Sequence, residues 1–298
     1  MTLTYFLTML ISGLRLGSVY ALIAVGYAMV YGILRLINFA HGDIMTLGVY
    51  FMIALMISLG LPFWATMIIS VILSIAVGLI MERCAYRPLR SAAEETVLIS
   101  SLAVSTILQN LMTMIWTAQR MPVKLPAWLS VANRIGPFTI KTISFVTFGV
   151  TAAALIILTI IIRKTRIGVA MRACSENRKA AMLMGININR VIMFTFAVGS
   201  ALAALAGFMM SGDYGTVYPT LGFTPSLKAF CAAVIGGIGS LGGSVLGAFI
   251  IGIAEMLFAG LVPTNLTNYR DAFVFAAMIV ILLFRPNGIF GKQEGGRS

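Results

Sequence analysis

Residues 227–260 read LKAFCAAVIGGIGSLGGSVLGAFIIGIAEMLFAG, an apolar stretch of 34 residues. About 20 apolar residues span the hydrocarbon core of a bilayer as a helix, so this stretch is too long for one upright span. A glycine costs about 1 kcal/mol in a helix interior, and five glycines lie between positions 236 and 243. The stretch therefore predicts two helical segments joined by an irregular turn at the glycines, which are Gly236, Gly237, Gly239, Gly242 and Gly243.

Small residues also recur at helical spacing. Two sets repeat every four positions, namely Gly239, Gly243 and Gly247 late in the chain and Gly13, Gly17 and Ala21 near its start. This spacing predicts that each set lies on one helix face, where a second backbone approaches closely. Residues 237–242 also match the GxGxxG pattern, but a dinucleotide site requires a preceding strand within a βαβ unit. The apolar surroundings exclude that site and favour helix packing.

The rest of the chain is equally apolar. Of its 298 residues, 60% are hydrophobic and 10% are charged, and soluble domains carry a much larger charged fraction. Within the apolar blocks, apolar and polar residues do not alternate one by one, as they would in the strands of a membrane β-barrel. The sequence predicts a single transmembrane domain over residues 1–298, an all-α polytopic helix bundle of about eight spans. Its apolar blocks are residues 5–34, 44–60, 63–82, 96–117, 141–162, 191–211, 227–260 and 271–284.

Two details of these blocks lead to further expectations. Arg15 interrupts the first block, so residues 1–14 are either the start of the first span or a separate interfacial helix. Pro286 and Gly288 are expected to end the last span, because proline and glycine typically follow helix C-termini.

Basic residues predict the orientation of the bundle. Fourteen of the 21 Lys and Arg side chains fall on one side, including seven between positions 163 and 190, and six fall on the other. Because cytoplasmic loops carry the excess of basic residues, the N-terminus is expected outside and the C-terminus inside. Residues 227–260 then enter from the outside, turn at or near the inside and return. The net charge of +12 follows this distribution, so nucleic-acid binding is not indicated.

The most polar break in the first third of the chain is residues 38–43, NFAHGD. Polar side chains at membrane depth usually face a cavity or a partner, so one hypothesis is that Asn38, His41 and Asp43 lie at a helix break that faces the permeation path. The alternative is an ordinary turn in which Asp43 caps the next helix. One histidine and one acid do not make a metal ligand set. Glu255 is expected near the outer end of its segment, either solvated or in contact with a pore or another helix.

The basic segment 163–190 predicts a short helix outside the bilayer over residues 175–187. Ser175 suits its N-cap and Gly185 its C-cap. Such a short helix is marginal alone, so its apolar face predicts docking into a groove of another protein; a membrane-surface helix is the alternative. The residues assigned to this contact are Glu176, Lys179, Ala180, Ala181, Leu183, Met184 and Gly185.

No catalytic set is found in the sequence. The GxSxG pattern is absent, and Cys84, Cys174 and Cys231 form no CxxC pair. The string 291–293, GKQ, lacks the spacing and the Ser or Thr of a Walker A motif. The chain is therefore not expected to be an enzyme or to bind ATP or another cofactor itself.

Four motifs, taken together, resemble the branched-chain amino acid ABC transporter permeases. They run in order over nearly the whole chain: residues 20–43 with the string INFAHGD, residues 82–90 with ERCAYRPLR, residues 172–187 with RACSEN and LMGIN, and residues 232–240 with AAVIGGIGS. The docking sequence of ABC importers often reads EAA-x3-G, whereas this chain has Lys179 in place of the glutamate. Urea permeases are similar over the same motifs, so the substrate stays open.

The resemblance implies a set of partners. The family pairs two homologous permeases with two cytoplasmic ATPases, which bind the ATP, and with a periplasmic substrate-binding protein. It also implies the bacterial inner membrane as the location and residues 163–190 as the ATPase-docking loop. A secondary transporter or channel is the rival class, and it would need a coupling-ion site for which Asp43 and Glu255 are thin support. A membrane-embedded enzyme would need a nucleophile–base set.

Overall fold

The computed structural model describes residues 3–90, 92–136, 138–237, 239–263, 266–285 and 288–290. Pro286, which was expected to help end the last span, lies outside these residues. So do Lys292 and Arg297 of the basic tail and the string 291–293.

The described residues form an α-helical bundle, as predicted. Its helices are α1 (Leu3–Leu34), α2 (His41–Leu59), α3 (Phe63–Met81), α4 (Glu94–Ile115), α5 (Thr142–Lys164), α6 (Arg166–Glu176), α7 (Arg178–Leu183), α8 (Ile188–Tyr214), α9 (Phe223–Gly236), α10 (Leu241–Leu261) and α11 (Arg270–Phe284). A π-helix, Glu82–Tyr86, extends α3, and short 3-10 helices cover Ala127–Ser130 and Thr267–Tyr269. Antiparallel pairs join β1 (Met121–Pro122) to β4 (Thr216–Val217) and β2 (Ala132–Ile135) to β3 (Phe138–Lys141).

Seven helices in the described part of the chain are long and apolar enough to cross a membrane: α1, α2, α3 with its π-helix, α4, α5, α8 and α10. Helices α9 and α11 have 14 and 15 residues. At 1.5 Å per residue each is roughly 22 Å long, which is less than the hydrocarbon thickness of about 30 Å. The segment 227–260 therefore contains one short helix, α9, and one helix of spanning length, α10.

The segments predicted on the two sides of the membrane lie at opposite ends of the bundle. At one end, here called the basic end, Arg178 Nη2 donates to the carbonyl of Leu34 at 2.9 Å, and Ile289 N donates to the carbonyl of Ile235 at 2.8 Å. The first contact joins α7 to the end of α1, and the second joins the segment after α11 to the end of α9. At the far end, the rings of Trp64 and Trp128 stack with centroids 5.7 Å apart.

Helix α1 is the centre of the bundle and is buried along most of its length. It packs against α10, α8 and α9. The helix runs without interruption from Leu3, so the alternative of a separate interfacial helix at residues 1–14 is wrong. Arg15 lies within the continuous helix. Its charge is balanced by Asp213 of α8, since Nη1 of Arg15 donates to Oδ1 of Asp213.

The close packing of α1 and α10 depends on glycine. A Cβ added at Gly13 would lie 2.7 Å from Cα of Ile253, and one at Gly17 would lie 2.9 Å from Cα of Phe249. A Cβ at Gly252 would overlap the backbone of Gly17. The packing predicted for Gly13 and Gly17 is therefore confirmed, and α10 is the partner helix.

The glycine-rich turn is also confirmed. Helix α9 ends at Gly236 and α10 begins at Leu241. Gly237, with φ of 103°, adopts a conformation that L side chains rarely take. Added Cβ atoms at Gly236 or Gly243 would overlap the backbone of the other glycine, and one at Gly247 would overlap the carbonyl of Ala232. These glycines let α9 and α10 pack back to back.

Two of the glycine predictions are wrong in part. Gly239 precedes α10 and is exposed, so it does not share a helix face with Gly243 and Gly247. Its φ of 90° requires glycine, but an added Cβ would lie 3.8 Å from Cα of Gly32, an ordinary contact. Gly242 is exposed in the first turn of α10, where an added Cβ would meet nothing within 4 Å, so it has no packing role.

Substitution at the α1–α10 contact is expected to destabilise the bundle. Gly252→Ala should lower the free energy of unfolding by about 1–3 kcal/mol through overpacking, and Gly252→Leu should prevent assembly. Gly149→Leu is the matched control, because Gly149 in α5 has nothing within 4 Å of its added Cβ. Thermal unfolding of the purified protein in detergent measures both. Equal stability of Gly252→Leu and Gly149→Leu would contradict the assigned contact.

Candidate functional site

The break between α1 and α2 is the first candidate region. Helix α1 ends at Leu34, and α2 begins at His41. Arg35 follows α1 with φ of 57°, a left-handed conformation that costs a residue with a side chain about 1–3 kcal/mol. The helix break predicted at residues 38–43 is therefore confirmed, and it begins with a strained residue at the basic end.

Asn38 connects the break to α3. Its side chain is 2% exposed. The hydroxyl of Tyr86, in the π-helix after α3, donates to Oδ1 of Asn38 at 2.6 Å. This hydrogen bond joins two irregular segments, the π-helix and the α1–α2 break. Short π-helices are rare and are often found at functional sites.

His41 is the first residue of α2 and lies in the core. Its ring packs against Tyr27 of α1, with centroids 4.9 Å apart. A Cβ added at Gly26 would lie 2.6 Å from Nε2 of His41, so only glycine leaves room for the imidazole. Nε2 is buried without a hydrogen-bond partner.

Asp43 is not the cap of α2, so the alternative interpretation of this turn is wrong. The N-cap position is Ala40, and it has no side-chain cap hydrogen bond. The Asp43 carboxylate instead accepts a hydrogen bond of 2.9 Å from Nε2 of Gln109 in α4, and its Oδ2 is buried without a partner. The burial of Asn38, His41 and Asp43 within the chain means that their role in lining a permeation path stays a prediction.

The basic segment between α5 and α8 forms two short helices. Ser175 lies inside α6, so its predicted N-cap role is wrong; Asn177 caps α7 by accepting from the backbone N of Ala180 at 3.0 Å. Gly185, with φ of 81°, lies just after the helix and lets the chain turn towards α8.

The tip of this segment is apolar and exposed. The fractional exposures of Met182, Leu183 and Met184 are 59%, 85% and 83%. Glu176, Lys179 and Ala180 are also exposed. Ala181 is only 4% exposed, so it faces the rest of this chain and its assignment to a contact with another protein is wrong.

Arg178 ties this segment to α1. Its guanidinium donates to the carbonyl of Leu34 in the last turn of α1, where the helix dipole favours a cation. Partial burial, with repulsion from Arg35 and Arg90, lowers the pKa of Arg178 from its ordinary value. A hydrogen bond therefore connects α7, which carries the exposed tip, to the end of α1 at the α1–α2 break.

A buried charge cluster, which the sequence analysis did not anticipate, joins α9, α10 and α11. Lys228 Nζ lies 2.6 Å from Oε1 of Glu255 and 2.6 Å from Oδ1 of Asp271. Tyr20 of α1 donates to Oε2 of Glu255 at 2.9 Å, and Arg270 Nε lies 3.5 Å from Oε1 of Glu255. Lys228 and Glu255 are 2% and 1% exposed.

Glu255 was expected to be solvated or to contact a pore or another helix. It is buried and contacts other helices, through Lys228 of α9 and Tyr20 of α1. The place of Lys228 inside the apolar block 227–260 was the signal in the sequence for a buried partner. Among the described residues, no group of three or more His, Cys, Asp and Glu side chains is arranged to hold a metal ion.

Loss of Lys228 is expected to destabilise the chain, because removal of one partner leaves the Glu255 carboxylate buried with weaker compensation. Lys228→Met should lower the free energy of unfolding by about 3–5 kcal/mol, measured by thermal unfolding in detergent. The double variant Lys228→Met/Glu255→Leu should recover much of that loss. A single variant as stable as the unsubstituted protein would contradict a buried ion pair.

The family described as branched-chain amino acid transport system, permease component, matches residues 9–282. The high-affinity branched-chain amino acid transport system permease protein LivH of Salmonella typhimurium is 42% identical, over 97% of each chain. The high-affinity branched-chain amino acid transport system permease protein BraD of Pseudomonas aeruginosa is 39% identical, again over 97% of each chain.

A solved structure shares the fold. It is described as PsaBC from Streptococcus pneumoniae in complex with Fab, and it superposes with a TM-score of 0.51 at 17% identity, over 96% of this chain and 94% of that one. The family match along residues 9–282 includes all of α2 to α10 and most of α1 and α11. The chain therefore belongs to the family of permease components of branched-chain amino acid transport systems.

Proposed function

We propose that this chain is the membrane-spanning permease subunit of a binding-protein-dependent ABC importer that moves branched-chain amino acids across a bacterial inner membrane. The observation that carries this proposal is the 42% identity to a branched-chain amino acid permease over 97% of both chains. The apolar helix bundle supplies the membrane domain, and no part of the proposal requires catalysis or a cofactor within this chain.

The partners follow from the same proposal. A second, homologous permease completes the membrane domain, two cytoplasmic ATPases bind and hydrolyse ATP, and a periplasmic protein delivers the substrate. The N-terminus lies outside and the C-terminus inside. Support comes from the grouping of residues 35, 83–90 and 163–190, with their excess of Lys and Arg, at the basic end.

The tip of α7 is the proposed contact with an ATPase. Leu183 and Met184 are more than four-fifths exposed at an end of the bundle that the basic residues place in water. Burial of apolar area stabilises a contact by about 25 cal/mol per Å², so two such side chains contribute a few kcal/mol. The segment 163–190 is thus the docking loop, and its contact residues centre on residues 182–184.

Motion of the ATPases has a direct route into the bundle. Movement of α7 is transferred through Arg178 to the end of α1, and the Tyr86–Asn38 hydrogen bond connects the same break to α3. The strained residue Arg35 marks the point where the chain direction changes. We propose that this break is the hinge through which ATP-driven closure alters the bundle.

The proposed function predicts ATP-dependent uptake. Proteoliposomes that contain this chain with its homologous permease, its ATPases and its binding protein should accumulate radiolabelled L-leucine only when ATP is enclosed. Uptake of urea instead of leucine would contradict the substrate class. Leucine uptake that persists without ATP would indicate a secondary transporter or channel.

Charge at the α7 tip is expected to separate docking from folding. Leu183→Glu should abolish co-purification with the ATPase and leave thermal unfolding of the permease unchanged, because Leu183 is 85% exposed. Ala181→Glu should destabilise the permease itself, since Ala181 is buried. Thr96→Glu, at an exposed position in the first turn of α4, is the control. ATPase binding by Leu183→Glu would overturn the docking assignment.

A further inference from the structure

A polar cavity of about 270 Å³ lies towards the far end of the bundle, away from α7. It is a half-open cleft between the first half of α1, strand β3, the start of α5 and the end of α8. Its lining residues are Thr8, Ile11, Ser12, Arg15, Phe138, Thr139, Ile140, Lys141, Ser144 and Asp213.

The cavity wall on α1 is one continuous helix face. Positions 8, 11, 12 and 15 follow the i, i+3, i+4, i+7 spacing that aligns side chains along a helix. The opposite wall is the whole of β3 together with Ser144 in the first turn of α5. Secondary structure therefore positions both walls.

The charges in the cavity suit a zwitterion. Two cations, Arg15 and Lys141, and one anion, Asp213, line the space. Arg15 Nη1 donates to Asp213, and a guanidinium carries four further N–H donors. The combination favours a carboxylate beside the cations and an ammonium group beside Asp213.

Hydroxyl groups and a helix N-terminus on the lining add to this assignment. Ser12, Thr139 and Ser144 place hydroxyl groups on the lining, and Ser144 is only 4% exposed. Helix α5 begins at the cavity with no side-chain cap and no acid in its first turn. Its N-terminal N–H groups add positive potential on the same wall.

The rest of the lining is Thr8, whose hydroxyl donates to the carbonyl of Thr4, and three apolar side chains. Ile11, Phe138 and Ile140 are half-buried hydrophobic walls beside the charged groups. The volume lies below the range of about 300–1,000 Å³ that holds drug-sized ligands, so the cavity suits a smaller molecule. An aliphatic amino acid has the required carboxylate, ammonium group and apolar side chain.

We propose that this cavity is a binding site for a free aliphatic α-amino acid on the outer side of the bundle, the side that faces the binding protein. The site rests on the proposed function for its ligand class and on the outside orientation for its role. Its carboxylate partners are Arg15 and Lys141, its ammonium partner is Asp213, and Ser144 borders the same space.

The test is equilibrium binding of radiolabelled L-leucine to the permease–ATPase complex in phosphatidylcholine nanodiscs without the binding protein. The unsubstituted complex should bind leucine saturably. Lys141→Glu should weaken binding at least tenfold, because it places an acid beside the ligand carboxylate. Lys124→Glu is the matched control, since Lys124 is an exposed lysine of the same outer loop that does not line the cavity; its binding should be unchanged.

Ser144→Leu is the second variant, because it fills the cavity without changing its charge. Binding should be lost while co-purification with the ATPase is kept. No leucine binding by the unsubstituted complex, or equal binding by Lys141→Glu and Lys124→Glu, would overturn the proposal. Retention of anionic lipid by the unsubstituted complex but not by Lys141→Glu, without leucine binding, would identify a headgroup site and overturn it as well.

ATP-dependent leucine uptake by the full transporter separates this proposal from the proposed function. If uptake occurs but the isolated permease complex does not bind leucine, the cavity assignment fails and the importer assignment stands. If uptake is absent and leucine still binds at a site sensitive to Lys141→Glu, the importer assignment fails and the cavity assignment stands.

Discussion

Close contact between the backbones of α1 and α10 is the constraint on which the rest of the bundle depends. Lipid tails are as apolar as leucine, so no hydrophobic driving force brings membrane helices together, and association relies on van der Waals packing and on polar contacts. Gly13 and Gly17 on α1 and Gly252 on α10 leave no room for side chains between these two helices. Helix α1 can therefore be central, with α8 and α9 packed against its other faces.

The same constraint explains where the polar side chains lie. Close packing excludes water from the interior, so each buried charge needs a partner supplied by another helix. Lys228 and Glu255 satisfy each other across α9 and α10, and Asp271 and Tyr20 connect the pair to α11 and α1. The short helix α9, which does not have the length of a full span, is thus held by an ionic contact in its first half and by glycine packing at its end.

The two ends of the bundle differ in the chemistry of their exposed groups, and this difference suits transport in one direction. The basic end carries an exposed apolar tip, a strained turn at Arg35 and hydrogen bonds that join α7, α1 and α3. The far end carries a small cavity of mixed charge. Helix α1 connects the two regions directly, because it contributes Arg15 to the cavity and Leu34 to the contact with Arg178. A movement of α7 therefore reaches a helix that also borders the proposed amino-acid site.

The sequence by itself determined the helical class, the positions of the apolar blocks and the break at the glycine-rich turn, because a bilayer forces apolar segments to satisfy their own backbone hydrogen bonds and because clustered glycines cannot continue a helix. It also located the break at residues 38–43, and it predicted an exposed helical segment over residues 175–187, within which the apolar tip lies. Only the tertiary structure decided which side chains meet. Asp43 bonds to Gln109 instead of capping α2, Asn177 caps α7 in place of Ser175, Ala181 is buried, and Lys228 pairs with Glu255. Asp43 and Gln109 are 66 positions apart in the sequence, and Lys228 and Glu255 are 27 positions apart. Helical periodicity specifies the face on which a residue lies but not the helix that this face meets.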